Sequence, residues 1–174
     1  MITDLPSSVE IREVGPRDGL QNESTIPVAE RIALIDALSA TGLTAIEAAS
    51  FVHPKAIPPM AGSAEVMKGI TRVPGVRYRA LVPNERGALD ALACDADELE
   101  VVMSISETHN RKNINMAPDE SVQQIIELTA LAHQEHTPVE AILSTAFGCA
   151  YEGDISPVRV ARYARRVLDE AGVD

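Results

Sequence analysis

Apolar and polar positions follow two alternating rhythms along the chain. Val9-Glu10-Ile11-Arg12 alternates with a period of two and predicts a first strand over about Val9–Val14. Pro27 opens a helix with Ile32, Leu34, Ile35 and Leu38 on its apolar side, ending near Thr41-Gly42. The same alternation then recurs. Strand two is expected at about Thr44–Ala48, with Pro58 and Pro59 holding its loop open before a short helix at Ser63–Lys68. Strand three is expected at Val76–Val82, with a helix at Glu85–Ala93. Strand four is expected at Glu98–Ser104, followed by a polar loop, Ser106–Asn115, and a helix from Pro118 to Gln134 carrying Val122, Ile125, Ile126 and Leu128. Strand five is expected at Val139–Ser144, followed by a loop at Gly148–Gly153 and a last helix from Pro157 to about Ala171. Met1–Ser8 reads as a polar lead-in. Regular strand–helix alternation predicts parallel strands joined by right-handed crossovers, in a βα barrel or an open α/β sheet.

Composition narrows the function. Fifteen Lys+Arg against 26 Asp+Glu give a net charge of −11, which argues against nucleic acid and anionic membrane as partners. A hydrophobic content of 45% is enough for a packed core. No apolar run is long enough to span a bilayer, and the N-terminus lacks a basic-then-apolar leader. Cys94 and Cys149 lie far apart without a CxxC pattern, which fits a reduced, cytoplasmic protein.

The chemistry concentrates after strand one. Gly15-Pro16 breaks the strand, and Arg17, Asp18, Gly19 and Gln21 follow within a few residues. In a βα architecture the loop after a strand points side chains into the mouth. Arg17 offers a planar fork of donors to a carbonyl, enolate or carboxylate oxygen. Asp18 can ligate a hard divalent cation, and Gly19 lets the backbone turn away. The competing reading is an Arg–Asp surface pair worth little energy.

The run Glu13-Val14-Gly15-Pro16-Arg17-Asp18-Gly19-Leu20-Gln21-Asn22-Glu23 resembles the signature of the hydroxymethylglutaryl-CoA lyase family, a branch of the metal-dependent TIM-barrel carbon–carbon lyases and synthases. Arg-Asp-Gly-x-Gln is common to the wider superfamily, and the flanking residues point to the lyase branch. Ile46-Glu47-Ala48-Ala49-Ser50, Ser106-Glu107 with Asn113-Ile114-Asn115, and Gly148-Cys149 with Tyr151-Glu152-Gly153 also match, so the resemblance runs from about Val9 to the end. It implies a (β/α)8 TIM barrel, of which residues 1–174 would supply about the first five βα units as one partial domain ending before strand six. A closed barrel typically takes ~250 residues.

The resemblance also implies an activity. Lyases of this family cleave a 3-hydroxy-3-methylglutaryl thioester to acetoacetate and acetyl-CoA. A base removes the tertiary hydroxyl proton, and a divalent cation, Mg²⁺ or Mn²⁺, lowers that hydroxyl's pKa. A positive group stabilises the departing enolate. On this pattern Arg17 is the enolate stabiliser, Asp18 a metal ligand, and Glu47 with Gln21 positions ligands or substrate. Ser50 is placed to donate to a substrate oxygen. The loop 106–115 is expected to wall the substrate, and Cys149 to be buried filler. His133 and His136 read as surface residues, and His53 and His109 as weak candidates on mouth loops. The partner would be an acyl-CoA. The family's His-x-His pair, asparagine ligand and catalytic cysteine lie on later strands, so these residues alone are expected to be inactive, and their open sheet edges to favour a homo-oligomer.

One position departs from the pattern. Where the family tends to read Val-Arg-Gly-Tyr, this chain reads Val139-Glu140-Ala141-Ile142, a reversal of local charge that bears on the acyl chain accepted. Two other readings stay open: an acetyl-CoA-dependent condensing synthase of the same superfamily, and a non-catalytic partial barrel serving as an assembly module.

Overall fold

A computed structural model of the protein describes residues 6–174; the first five positions of the expected lead-in lie outside the described residues. Five strands, β1 (Arg12–Glu13), β2 (Ala45–Ser50), β3 (Arg77–Leu81), β4 (Glu98–Ser104) and β5 (Val139–Ser144), form one parallel sheet in the order β1-β2-β3-β4-β5. The connecting helices are α1 (Val28–Ser39), α2 (Ser63–Gly69), α3 (Glu85–Leu92), α4 (Glu107–Ile114), α5 (Pro118–Gln134) and α6 (Pro157–Arg166). Each strand lies beside its sequence neighbour, as in a barrel, and the sheet curls into a half-barrel: five βα units of the N-terminal portion of a TIM barrel.

Period-two alternation sorts the strand side chains into two layers. Ile46, Ala48, Tyr78, Ala80, Leu99, Val101, Met103 and Val139 are buried and join Ile35, Val66, Ala88, Ala91, Val122, Ile125 and Leu128 of the helices in one core. Small residues let the helices approach closely. A Cβ on Gly87 of α3 would stand 2.9 Å from the Phe51 carbonyl oxygen and 2.8 Å from Pro83 Cδ. The opposite layer of the strands carries Glu47, Arg79, Glu98, Glu100 and Glu140, and it is charged.

Three elements differ from the sequence reading. β1 is two residues long, not six: Val9 and Ile11 have no sheet partner and are 78% and 69% exposed, so their alternation alone makes no strand. The segment expected as a polar loop at 106–115 is largely helix. Ser106 caps α4 by accepting from His109 N at 3.1 Å, and Asn115 ends it with φ +58°. A polar helix without an apolar stripe gives no periodic signal. The last helix leaves α-helical geometry at Arg166 and continues as a π-helical turn, Val167–Ala171.

Two fastenings hold the β4 and β5 loops at the mouth. Asn110 of α4 is fully buried. Its Oδ1 accepts from Ser104 N at 2.7 Å, and its Nδ2 donates to Met116 O at 2.9 Å and Ser121 Oγ at 2.7 Å. Glu152 accepts from Thr108 N at 2.7 Å, in the first turn of α4, and pairs with Arg159 at 3.0 Å. The Thr108 N–H bond holds the Glu152 carboxyl down at about 2.

Asn110→Ala leaves buried groups without partners and is expected to cost about 3 kcal/mol, read as a lower urea midpoint with unchanged m-value. Glu152 supplies a pH test. Its pKa is depressed by folding, so its stabilisation is present above its unfolded value and is lost as pH falls through the window from about 4.5 to about 2. Glu152→Gln is expected to flatten the fall in stability across that window, measured by denaturant titration at several pH values. An unchanged acid limb would remove Glu152 from this role.

Candidate active site

Gly15–Gly19 forms a π-helical turn rather than an open loop. Three successive amides, Arg17 N, Asp18 N and Gly19 N, converge on Val14 O at 3.1, 2.7 and 3.4 Å. Buried Pro16 fixes the start of the turn, and Gly15 N donates to Glu13 Oε1 at 2.6 Å. A side chain at Gly15 would meet that same oxygen at 2.7 Å. The turn throws Arg17 and Asp18 out over the end of β2.

There Arg17 Nε donates to Glu47 Oε1, and Arg17 Nη1 donates to Asp18 Oδ1 at 2.9 Å. Gln21 Nε2 donates to the same Oδ1 at 2.9 Å. The structure therefore brings together Arg17, Asp18, Gln21 and Glu47. Glu47 is buried at 1% side-chain exposure, Arg17 stands at 12%, and Asp18 at 54% faces solvent.

Ser50 is separate from this group. It is buried opposite Leu81, and its carbonyl accepts from Ser63 Oγ at 2.7 Å. It lines a cavity of about 540 Å³ with Phe51, His53, Lys55, Asn84 and Arg86. His53 is exposed there.

Below Glu47 lies a layer that sequence reasoning missed. Arg12 Nη1 donates to Glu100 Oε1 at 2.8 Å, and Arg12 Nη2 pairs with Glu140. Arg79, 1% exposed, pairs with Glu98 and Glu140 through Nη2 and stands 3.2 Å from Glu100 Oε1 through Nε. Burial, with Glu47 alongside, pushes the Glu100 carboxyl up to about 8. Burial also raises Glu98. For Glu140, burial pulls upward but the bonds from Arg12 and Arg79 prevail and hold it low. The glutamate at position 140 is thus paired with two guanidiniums, Arg12 and Arg79. A signal for this layer exists in the sequence, since Arg77-Tyr78-Arg79-Ala80 and Glu98-Leu99-Glu100-Val101 carry charge at every second position.

Cys149 is buried, as expected, and its thiol also donates to Ser106 Oγ at 3.0 Å and accepts from Tyr151 N at 3.3 Å. Burial alone would raise its pKa, and these bonds lower it. His109 Nδ1 and Ser104 Oγ lie 2.7 Å apart on the same side of the mouth. His133 pairs with Asp174 at 2.9 Å on the surface, and His136 is exposed.

A divalent cation finds one carboxylate here. Among the described residues no group of three or more His, Cys, Asp or Glu converges to hold a metal. Asp18 Oδ1 already takes two hydrogen bonds. The donor set fits one ligand of a hard-cation site, not a whole one.

A family model described as HMGL-like matches residues 8–174. The 3-hydroxy-3-methylglutaryl-CoA lyase, cytoplasmic, of Danio rerio is 49% identical over 166 residues, 95% of this chain and 50% of that protein. The mitochondrial hydroxymethylglutaryl-CoA lyase of Mus musculus is 46% identical over 94% of this chain and 50% of its own length. The crystal structure of the Bacillus subtilis HMG-CoA lyase superposes with a TM-score of 0.94 at 48% identity, covering 97% of this chain and 56% of that one. The chain spans about half the length of the curated relatives it matches. It belongs to the HMGL-like family, and its five βα units are the N-terminal portion of that family's barrel.

Proposed function

We propose that this chain supplies the Arg17–Asp18–Glu47 side of a hydroxymethylglutaryl-CoA lyase active site, whose substrate is a 3-hydroxy-3-methylglutaryl-CoA thioester and whose products are acetoacetate and acetyl-CoA. The observation that carries the reading is the bond from Arg17 Nε to buried Glu47, with Arg17 Nη1 on Asp18. It fixes a guanidinium at the mouth with two of its nitrogens engaged, and among the described residues Nη2 makes no hydrogen bond. A preorganised cation at that point is what a developing enolate needs.

Each residue then has a task. Arg17 receives the thioester enolate oxygen as the carbon–carbon bond breaks. Glu47 holds the Arg17 plane in place. Asp18 offers its solvent-facing carboxylate to a Mg²⁺ or Mn²⁺ ion, and Gln21 orients that carboxylate. The cation, when bound, makes the substrate's tertiary hydroxyl more acidic. Ser50 and the cavity beside it would contact the substrate's acyl-CoA portion. The names of the relatives favour cleavage over condensation. They include cytoplasmic and mitochondrial proteins, and the cytoplasm remains the proposed location.

Arg17→Lys, made in a polypeptide carrying this chain with the rest of the barrel, is expected to lower kcat by about 10²-fold or more while KM changes far less. Lysine keeps the charge and loses the fork that meets both Glu47 and Asp18. Near-normal kcat would remove Arg17 from the enolate role.

The 174-residue chain alone is expected to give no saturable Mg²⁺ heat in calorimetry at sub-millimolar ion and no acetyl-CoA release, because a single carboxylate leaves the ion largely hydrated. Sedimentation velocity is expected to show species larger than a monomer, since among the described residues β1 and β5 are the outermost strands of the sheet and β5 is met on its outer side only by Asp174, at Val139. A clean monomer would overturn the association, and turnover like that of an intact lyase would overturn the division of the site.

A further inference from the structure

Seven charged groups face one another on the inner side of the strands, and their charges do not balance. The three guanidiniums are Arg12 from β1, Arg17 from the π-helical turn and Arg79 from β3. The four carboxyls are Glu47 from β2, Glu98 and Glu100 from β4, and Glu140 from β5. At the rim, Arg77 reaches Glu98 at 3.7 Å but is matched by Glu10 at 2.5 Å, and Asp18 adds a further negative charge beside Arg17. One carboxylate is therefore in excess in a layer where Glu47, Arg79 and Glu100 are all but inaccessible to water. An unmatched buried charge is expensive, and a proton removes it.

The geometry locates that proton. All four carboxyls meet a guanidinium, and the oxygen that stands apart is on Glu100. Glu100 Oε1 meets Arg12 at 2.8 Å, but Glu100 Oε2 is buried with no partner. As a bare acceptor that oxygen would be orphaned. As a hydroxyl it becomes a donor, and the neighbouring carboxyl is Glu47, whose Oε1 already accepts from Arg17. We infer that Glu100 and Glu47 share one proton, with Glu100 Oε2 donating to the Glu47 carboxylate, and that this bond fixes Glu47 against Arg17. Glu100 is then a positioning residue that acts on Arg17 through Glu47. Neither carboxyl hydrogen-bonds Asp18. The elevated affinity of Glu100 for protons accords with this arrangement.

The shared proton needs no assignment of activity, and only its catalytic use rests on the lyase reading. The test uses the 174-residue chain with ¹³C-carboxyl-labelled glutamate and ¹⁵N-labelled arginine, titrated by NMR. One glutamate carboxyl is expected to titrate with a midpoint of about 8, far above the rest, and to vanish from the spectrum in Glu100→Gln. The Glu47 carboxyl and the Arg17 Nε–H resonance are expected to shift with the same midpoint. In Glu100→Gln the Arg17 resonance becomes independent of pH over that range, because the amide donates to Glu47 at every pH. In Glu47→Gln the Glu100 midpoint falls by about one unit or more, since the like charge is gone. If Glu100→Gln does not fold, the wild-type and Glu47→Gln titrations decide alone. All glutamates titrating below pH 6, a Glu100 midpoint unmoved by Glu47→Gln, or an Arg17 resonance that ignores the step would each overturn the inference. The predicted titration in the chain, found together with an intact barrel that lacks lyase turnover, would uphold the shared proton and sink the lyase reading instead.

Discussion

A guanidinium enclosed by carboxylates is the constraint on which the rest of this half-barrel depends. Arg79 is 1% exposed and meets Glu98, Glu100 and Glu140 on two neighbouring strands. Such a group gives little net stability relative to an apolar core of the same shape, because each charge gives up its hydration. Removal of one member is another matter, since it strands the others, and costs on the order of 3–5 kcal/mol are typical. The lattice therefore acts less as glue than as a register device. Glu100 faces Glu140 across β4 and β5, and Arg79 bridges them only while that pairing holds. A slip of one residue would turn every charge into the apolar layer of Tyr78, Leu99 and Val101.

The two faces of the sheet carry separate duties. Outward-facing residues bind the helices through apolar burial, which is tolerant of detail. Inward-facing residues hold charge in fixed geometry, which is not. The site sits where the two meet, at the strand ends, with Arg17 anchored below by Glu47 and open above.

Much of this was legible in the sequence, and the parts that were not share a cause. β4, β5 and α5 match their expected bounds because each has an uninterrupted pattern, and Pro138 and Pro118 mark where β5 and α5 begin. Arg17, Asp18 and Gln21 were legible because their contacts are local, whereas a lone carboxylate at a strand end such as Glu47 reads equally as a solvated group and was singled out through the family resemblance. Val9 and Ile11 misled because alternation describes a strand's faces and says nothing of its partner. α4 escaped because its cap, Ser106, and its buried anchor, Asn110, replace an apolar stripe. Arg12, Arg79, Glu98 and Glu100 escaped because an inward charge at period two reads the same as a solvent-facing one. Only the curl of the sheet, which brings β1 to within reach of β4 and β5, tells them apart.

That curl also ties the far strand to the mouth. Glu140 on β5 holds Arg12 and Arg79, both of which touch Glu100. Glu100 lies against Glu47, and Glu47 holds Arg17. The path is a contiguous set of charged contacts, so a change of charge at Glu140 alters the balance at each step to the guanidinium at the mouth. Glu140 does not stand as a lone charge. It is one member of a set in which Arg12 and Arg79 supply the matching positive charge from β1 and β3. The charge at the base of the site is thus fixed by the chain's own side chains, and the single exposed carboxylate of Asp18 can serve a cation without also having to position Arg17.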